Sequence, residues 1–180
     1  MDDYTAPVSP LKAIQTRYKG CHFRSRLEAR WAVFFDALEI AWEYEPEGYV
    51  LEDGTWYLPD FFLPQVDMFA EVKPENGFSL EDCEKCRLLA HGTRREVLMC
   101  EGTPSLREYY AQRSVDDYAP PYIAYDLLDA NRYHLSEGRF YSIDFSDGFT
   151  TNGRLWDGGA HEAVDAARSA RFEHGESGAS

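Results

Sequence analysis

Between Leu58 and Pro74 the chain reads LPDFFLPQVDMFAEVKP, two apolar runs interrupted by charged residues and parted by turn-forming ones. TWYLPDFFL and DMFAEVK are short, aromatic and β-branched enough to be strands, and the turn between them falls near Pro64 to Asp67. The spacing predicts a hairpin. Residues two apart on a strand share a face, so Glu71 and Lys73 project together, and Asp60 on the neighbouring strand can lie across from them. A segment able to bury Phe61, Phe62, Met68, Phe69 and Val72 would then bring two carboxylates and an ammonium to one place. Such a cluster costs repulsion and desolvation unless a cation sits between the carboxylates, and hard oxygen ligands of this kind suit Mg²⁺ or Mn²⁺. Lys73 could orient or deprotonate a water, or stabilise charge building on a phosphate. These are the roles that metal-assisted phosphodiester hydrolysis requires.

The flanking sequence supplies further elements. In FRSRLEARWAVFFDALEI, Leu27, Trp31, Phe34, Phe35 and Leu38 recur at helical spacing, and Ser25 followed three residues later by Glu28 has capping-box form. A helix from about Arg26 to Glu39 is expected. AWEYEPEGY alternates like a strand until Pro46 and Gly48 end it. SLEDCEKCRLLAHG reads as a helix with Ser79 as N-cap and Gly92 as C-cap, and REVLMCEG reads as a strand. Farther on, Pro104 to Gln112 and His161 to Phe172 are expected to be helical, and Tyr122 to Leu127 and Arg139 to Phe145 to be strands.

Pro59-Asp60 followed by Glu71-Val72-Lys73, within the order helix, three strands, helix, strand, resembles the PD-(D/E)XK nuclease superfamily. FRSRLEARWAVFF is also similar to the first helix of small bacterial and phage-borne members. The resemblance covers roughly Tyr18 to Gly102, while AARSARFEHG looks like the tail of uncharacterised phage proteins with this core. It implies an α/β fold with a restriction-endonuclease-like core, a central mixed β-sheet of about four strands flanked by helices. A small α+β C-terminal extension would complete it. The expected organisation is an N-terminal arm at 1–17, the nuclease-like core at 18–113, an extension packed on the core at 114–173, and a disordered tail at 174–180. The resemblance further implies a catalytic set of Glu28, Asp60, Glu71 and Lys73. Mg²⁺ or Mn²⁺ would be held by Asp60, Glu71, the Val72 carbonyl and Glu28, for hydrolysis of DNA in processing, recombination or defence.

Charge bears on the partner. The net charge of −14 opposes binding to phosphates, which Lys and Arg ordinarily neutralise. The charge is uneven, however: from Pro10 to Arg30 there are six basic residues against Glu28, whereas Trp31 to Lys85 carries fourteen acidic residues against Lys73 and Lys85. Lys19, Arg24, Arg26, Arg30 and Lys85 are therefore the candidates for contacting DNA. The acidic body keeps a second reading in play, a catalytically inactive nuclease-like binding or anti-defence protein with a DNA-mimicking surface and a protein partner. With no apolar run long enough to span a bilayer and a first stretch unlike a secretory signal, a cytoplasmic protein is expected.

Each candidate has a plainer role beside the catalytic one. Glu28 can serve only as the partner of Ser25 in a capping box, Asp60 as a strand-end carboxylate after proline, and Glu71 with Lys73 as an ion pair worth little if exposed. Cys83 and Cys86 form a C-x-x-C, with Cys100 and His91 downstream and Cys21 upstream, a zinc or iron-sulfur pattern. On a regular helix, though, the two thiols lie at i and i+3 and fit as small core residues. Tyr109 and Tyr110 are available to stack on bases.

Overall fold

The computed structural model describes residues 13–105, 108–113, 139–144, 149–151, 154–156 and 160–172. The first elements are β1 (Thr16–Tyr18) and β2 (Cys21–Phe23), paired through Lys19 and Gly20, both at positive φ. Two left-handed residues in a two-residue loop match the right-handed twist of the flanking strands. The hairpin makes an ordered element out of what the charge pattern marked only as a basic arm. Helix α1 (Arg26–Ala37) follows, with the Ser25 hydroxyl accepting the Glu28 N–H as an N-cap.

Next come β3 (Glu43–Tyr44), β4 (Tyr49–Val50), β5 (Trp56–Tyr57), β6 (Phe61–Leu63) and β7 (Met68–Lys73). β6 and β7 form the expected antiparallel hairpin, with Phe61 opposite Ala70 and Leu63 opposite Met68. Trp56 and Tyr57 leave it. They pair instead with Val50 and Tyr49, because Leu58 and Pro59 part β5 from β6 and a proline cannot donate to a ladder. Helix α2 (Leu80–Thr93) has a complete capping box between Ser79 and Asp82. It runs past Gly92, and the left-handed cap is Arg94, since the Thr93 hydroxyl bonds the Leu89 carbonyl and carries the turn one step further.

The remaining elements are β8 (Glu96–Glu101), β9 (Glu108–Arg113), β10 (Arg139–Asp144), β11 (Phe149–Thr151), β12 (Arg154–Trp156) and α3 (Ala160–Ser169). The main sheet is mixed and has six strands, in the order β10-β9-β8-β7-β6-β3. About four had been expected. The difference arises at β9, where the helix expected over Pro104 to Gln112 is a strand pairing Leu98 with Ala111. Tyr109 and Tyr110 suit a pleated surface, and the free edge of β8 offers them a ladder. β10, expected as a strand, pairs with β9. The expected strand at Tyr122 to Leu127, the tail at 174–180 and residues 1–12 of the arm lie outside the described residues.

β7 and β8 are parallel, and α2 makes the crossover between them. Alternation along these two strands divides the core. Met68, Ala70, Val72, Leu98 and Cys100 pack with Trp31, Phe34 and Phe35 of α1 and with Ala163, Val164 and Ala167 of α3. Phe69, Val97 and Met99 pack on the other side with Cys83, Cys86 and Leu89 of α2. Fully burying each large side chain contributes roughly 1.5–3 kcal/mol. Among the described residues, no helix is long and apolar enough to cross a membrane.

Candidate functional site

Asp60 precedes β6 and Glu71 lies near the end of β7, and continuing the strand register sets them opposite each other. One step farther, Pro59 faces Val72. In the antiparallel ladder that position would exchange two backbone bonds, yet Pro59 has no N–H to offer the Val72 carbonyl. The Val72 N–H donates instead to Asp60 Oδ2, at 2.8 Å. Pro-Asp therefore ends the pairing and turns a carboxylate and the Val72 peptide towards one cleft of about 520 Å³. Glu28, Asp60, Glu71, Val72 and Lys73 all line it.

Asp60 and Glu71 are each only 4% exposed, and Glu28 8%. Burial pushes the Asp60 carboxyl well above the usual carboxylate range, and the nearby charges of Glu71 and Glu28 push it further, against the Val72 N–H and Lys73. Two cations partly offset this negative charge. Arg24 Nη2 donates to Asp60 Oδ1 at 2.9 Å while its Nε pairs with Glu45 at 2.6 Å. The Lys73 ammonium bonds Glu71 Oε1 and stands 3.8 Å from Asp82. For Lys73, burial works to lower the pKa, but Glu71, Asp60 and Asp82 outweigh it and the ammonium is favoured.

Glu28 is bound on both carboxylate oxygens. Oε1 accepts the Ser25 hydroxyl at 2.7 Å, and Oε2 accepts the Arg24 N–H at 3.1 Å and the Tyr44 hydroxyl at 2.5 Å. Its role at the helix start and its place at the cleft wall are thus filled by one carboxylate. The reason is that the carboxylate reaches back to the N–H of Arg24, one residue before the cap, and so ties the helix start to the cleft wall.

The basic candidates are scattered. Arg24 and Lys85 line the cleft, with Lys85 paired to Glu81 at 2.5 Å. Lys19 pairs with Asp36 at 2.9 Å on another part of α1. Arg30 bonds the carbonyls of Ala167 and Arg168 at 2.6 and 2.9 Å, so it closes the end of α3. Arg26 lies in the first turn of α1 and does not line the cleft.

Cys83 and Cys86 are buried with the α2 cluster, and burial pushes the Cys83 thiol up to about 12. Cys100 belongs to the opposite cluster. The pair at i and i+3 are small core residues, as the helical spacing suggested. Three further cleft residues had no signal as site residues in the sequence, Trp56, Tyr57 and Asp82, and neither had Tyr44, which bonds Glu28. The Tyr57 phenol is held far above its ordinary pKa, first by burial and then by Cys86 and Glu71. The sequence marks Ser79 as an N-cap but gives Asp82, its partner in the capping box, no role.

The donor set can be tested against a divalent cation. Glu71 Oε2 is buried and has no hydrogen-bond partner among the described residues, an orphaned hard oxygen of the kind a cation satisfies. Among the described residues no group of three His, Cys, Asp or Glu side chains is drawn together for a metal. The arrangement instead suits two carboxylates and a backbone carbonyl, with Glu28 engaged elsewhere. The chain matches no protein-family model and no curated protein sequence.

Proposed function

We propose that the protein is a divalent-metal-dependent nuclease of the restriction-endonuclease-like, PD-(D/E)XK class that hydrolyses phosphodiester bonds of DNA. The observation carrying this reading is that Asp60, just before β6, and Glu71, near the end of β7, meet in one cleft where Glu71 Oε2 is buried without a hydrogen-bond partner among the described residues. Asp60, Glu71 and the Val72 carbonyl would hold Mg²⁺ or Mn²⁺. When bound, such a cation supplies charge neutralisation at the phosphate and a more acidic water.

The chain's own groups do the rest. Pro59 leaves the Val72 carbonyl unclaimed on its strand side, and the Val72 N–H fixes the Asp60 carboxylate. Lys73, favoured as an ammonium by its acidic neighbours, serves as a cation stabilising charge on the phosphate oxygens rather than as a base. Glu28 positions: through Arg24 N–H, Ser25 and Tyr44 it holds the start of α1 against the site. Incubating plasmid, linear and branched DNA with Mg²⁺, Mn²⁺ or EDTA tests the reading. Metal-dependent products that vanish in Asp60→Asn support it, and no cleavage of any substrate by the parent overturns it.

One observation favours the acidic binding protein as a second reading. Lys19, Arg24 and Lys85 are each ion-paired within the chain, so three of the five expected DNA contacts already have acidic partners. Retention of a DNA-binding protein, with DNA competing, would support that reading.

A further inference from the structure

Trp56 is 65% exposed and its strand partner Val50 is 72% exposed, on a protein that buries Trp31 completely. Tyr57, the next residue on β5, points the other way, into burial beside Cys86. The short strand is therefore anchored by one aromatic ring while it presents the other. The six-membered ring of the Trp56 indole also rests against Gly48: a Cβ at that position would fall 2.0 Å from Cζ2. Lacking a side chain, Gly48 lets the ring seat on the backbone, which limits its freedom while most of its surface stays open.

Trp56 lines the same cleft as Asp60, Glu71, Lys73, Arg24 and Lys85. A ligand fitting this wall needs a flat apolar face for the indole and anionic groups for the cations, and a nucleotide has both. In a continuous duplex the faces of each base are covered by its neighbours, so an indole at the cleft edge can be used only by a base that has left the stack. Resting on the nuclease reading above, we propose that Trp56 is a stacking platform for an unpaired base of the DNA strand that enters the cleft. The substrate class is then single-stranded or frayed DNA.

The test is a titration of intrinsic tryptophan emission with an oligothymidylate of about twelve nucleotides, a length spanning ordinary single-strand sites. A blunt duplex serves as the comparison, and Ca²⁺ replaces Mg²⁺ because it takes the same oxygen ligands. The oligothymidylate is expected to quench the parent, and Trp56→Ala to bind it about tenfold more weakly with the duplex affinity unchanged. Trp56→Phe should retain most of the affinity and lose the quenching. Equal oligothymidylate binding by parent and Trp56→Ala overturns the proposal, as does an equal loss on duplex and single strand or no quenching of the parent. Cleavage judges the other reading separately. Quenching without metal-dependent cleavage keeps the platform and removes the nuclease, whereas cleavage without quenching removes the platform alone.

Discussion

The two faces of strand β7 are built from one six-residue segment, yet they behave as different materials. Met68, Ala70 and Val72 enter an apolar core with Trp31, Phe34, Phe35 and Phe61, where the Phe35 and Phe61 rings meet edge to face at 5.6 Å. Phe69 opens the other face in the same manner, but Glu71 and Lys73 then replace the apolar pattern where the strand reaches the cleft. One face is held by contacts that need no ion. The other carries a buried carboxylate with an unsatisfied oxygen, opposite a second carboxyl pushed up by burial and its neighbours. A strand can tolerate that cost at one end because the opposite face and the rest of its length anchor it.

The largest effect should come from breaking the apolar face. Phe34→Ala removes a fully buried ring that packs edge to face on Trp31, and a loss of about 3–5 kcal/mol is expected. For a chain of this size that lowers Tm by roughly 10 °C in a thermal melt. An unchanged Tm would mean that the α1 face is not the structural anchor.

On the charged face the sign should reverse. Asp60→Asn and Glu71→Gln are expected to lower metal-dependent cleavage about a hundredfold or more while keeping or raising Tm in EDTA, because each removes like-charge repulsion without changing shape. Asn is the informative choice at 60, since alanine would leave the Val72 N–H without its acceptor. Cleavage at the parental rate by both variants would remove the pair from the site.

The comparison sharpens with pH. The folded state holds the Asp60 proton more tightly than the unfolded chain, so its contribution to stability is complete below the ordinary carboxylate pKa and is lost as pH rises through the elevated one. In EDTA, the Tm advantage of Asp60→Asn over the parent should be small near about pH 4 and grow towards about pH 8. A constant difference would show that Arg24 keeps Asp60 ionised throughout.

The smallest effect is expected at Glu28. A glutamine can keep one oxygen on the Arg24 N–H and Tyr44 hydroxyl and turn its amide to Ser25, so Tm should change little. Cleavage should fall about tenfold or less, since the residue positions the site without a free oxygen for a cation. A loss as large as that of Glu71→Gln, accompanied by weaker Mg²⁺ binding in calorimetry, would make Glu28 a ligand.

Local pattern alone determined α1, the β6-β7 hairpin, α2 with its Ser79 cap, β8 and α3, because periodicity, turn residues and caps act over a few neighbouring residues. It also marked Asp60, Glu71 and Lys73, since a period of two fixes which strand residues share a face. Tertiary structure decided the rest. Sheet closure drew Glu108–Arg113 into a strand against the edge of β8, although its spacing also suited a helix. Partners distant in sequence set the fates of the arginines, so that Arg24 faces Asp60 in the cleft while Arg30, six residues on, closes α3. Tyr44 reached Glu28 and Trp56 reached the cleft in the same way, brought there by chain segments whose meeting depends on packing rather than on any short-range preference.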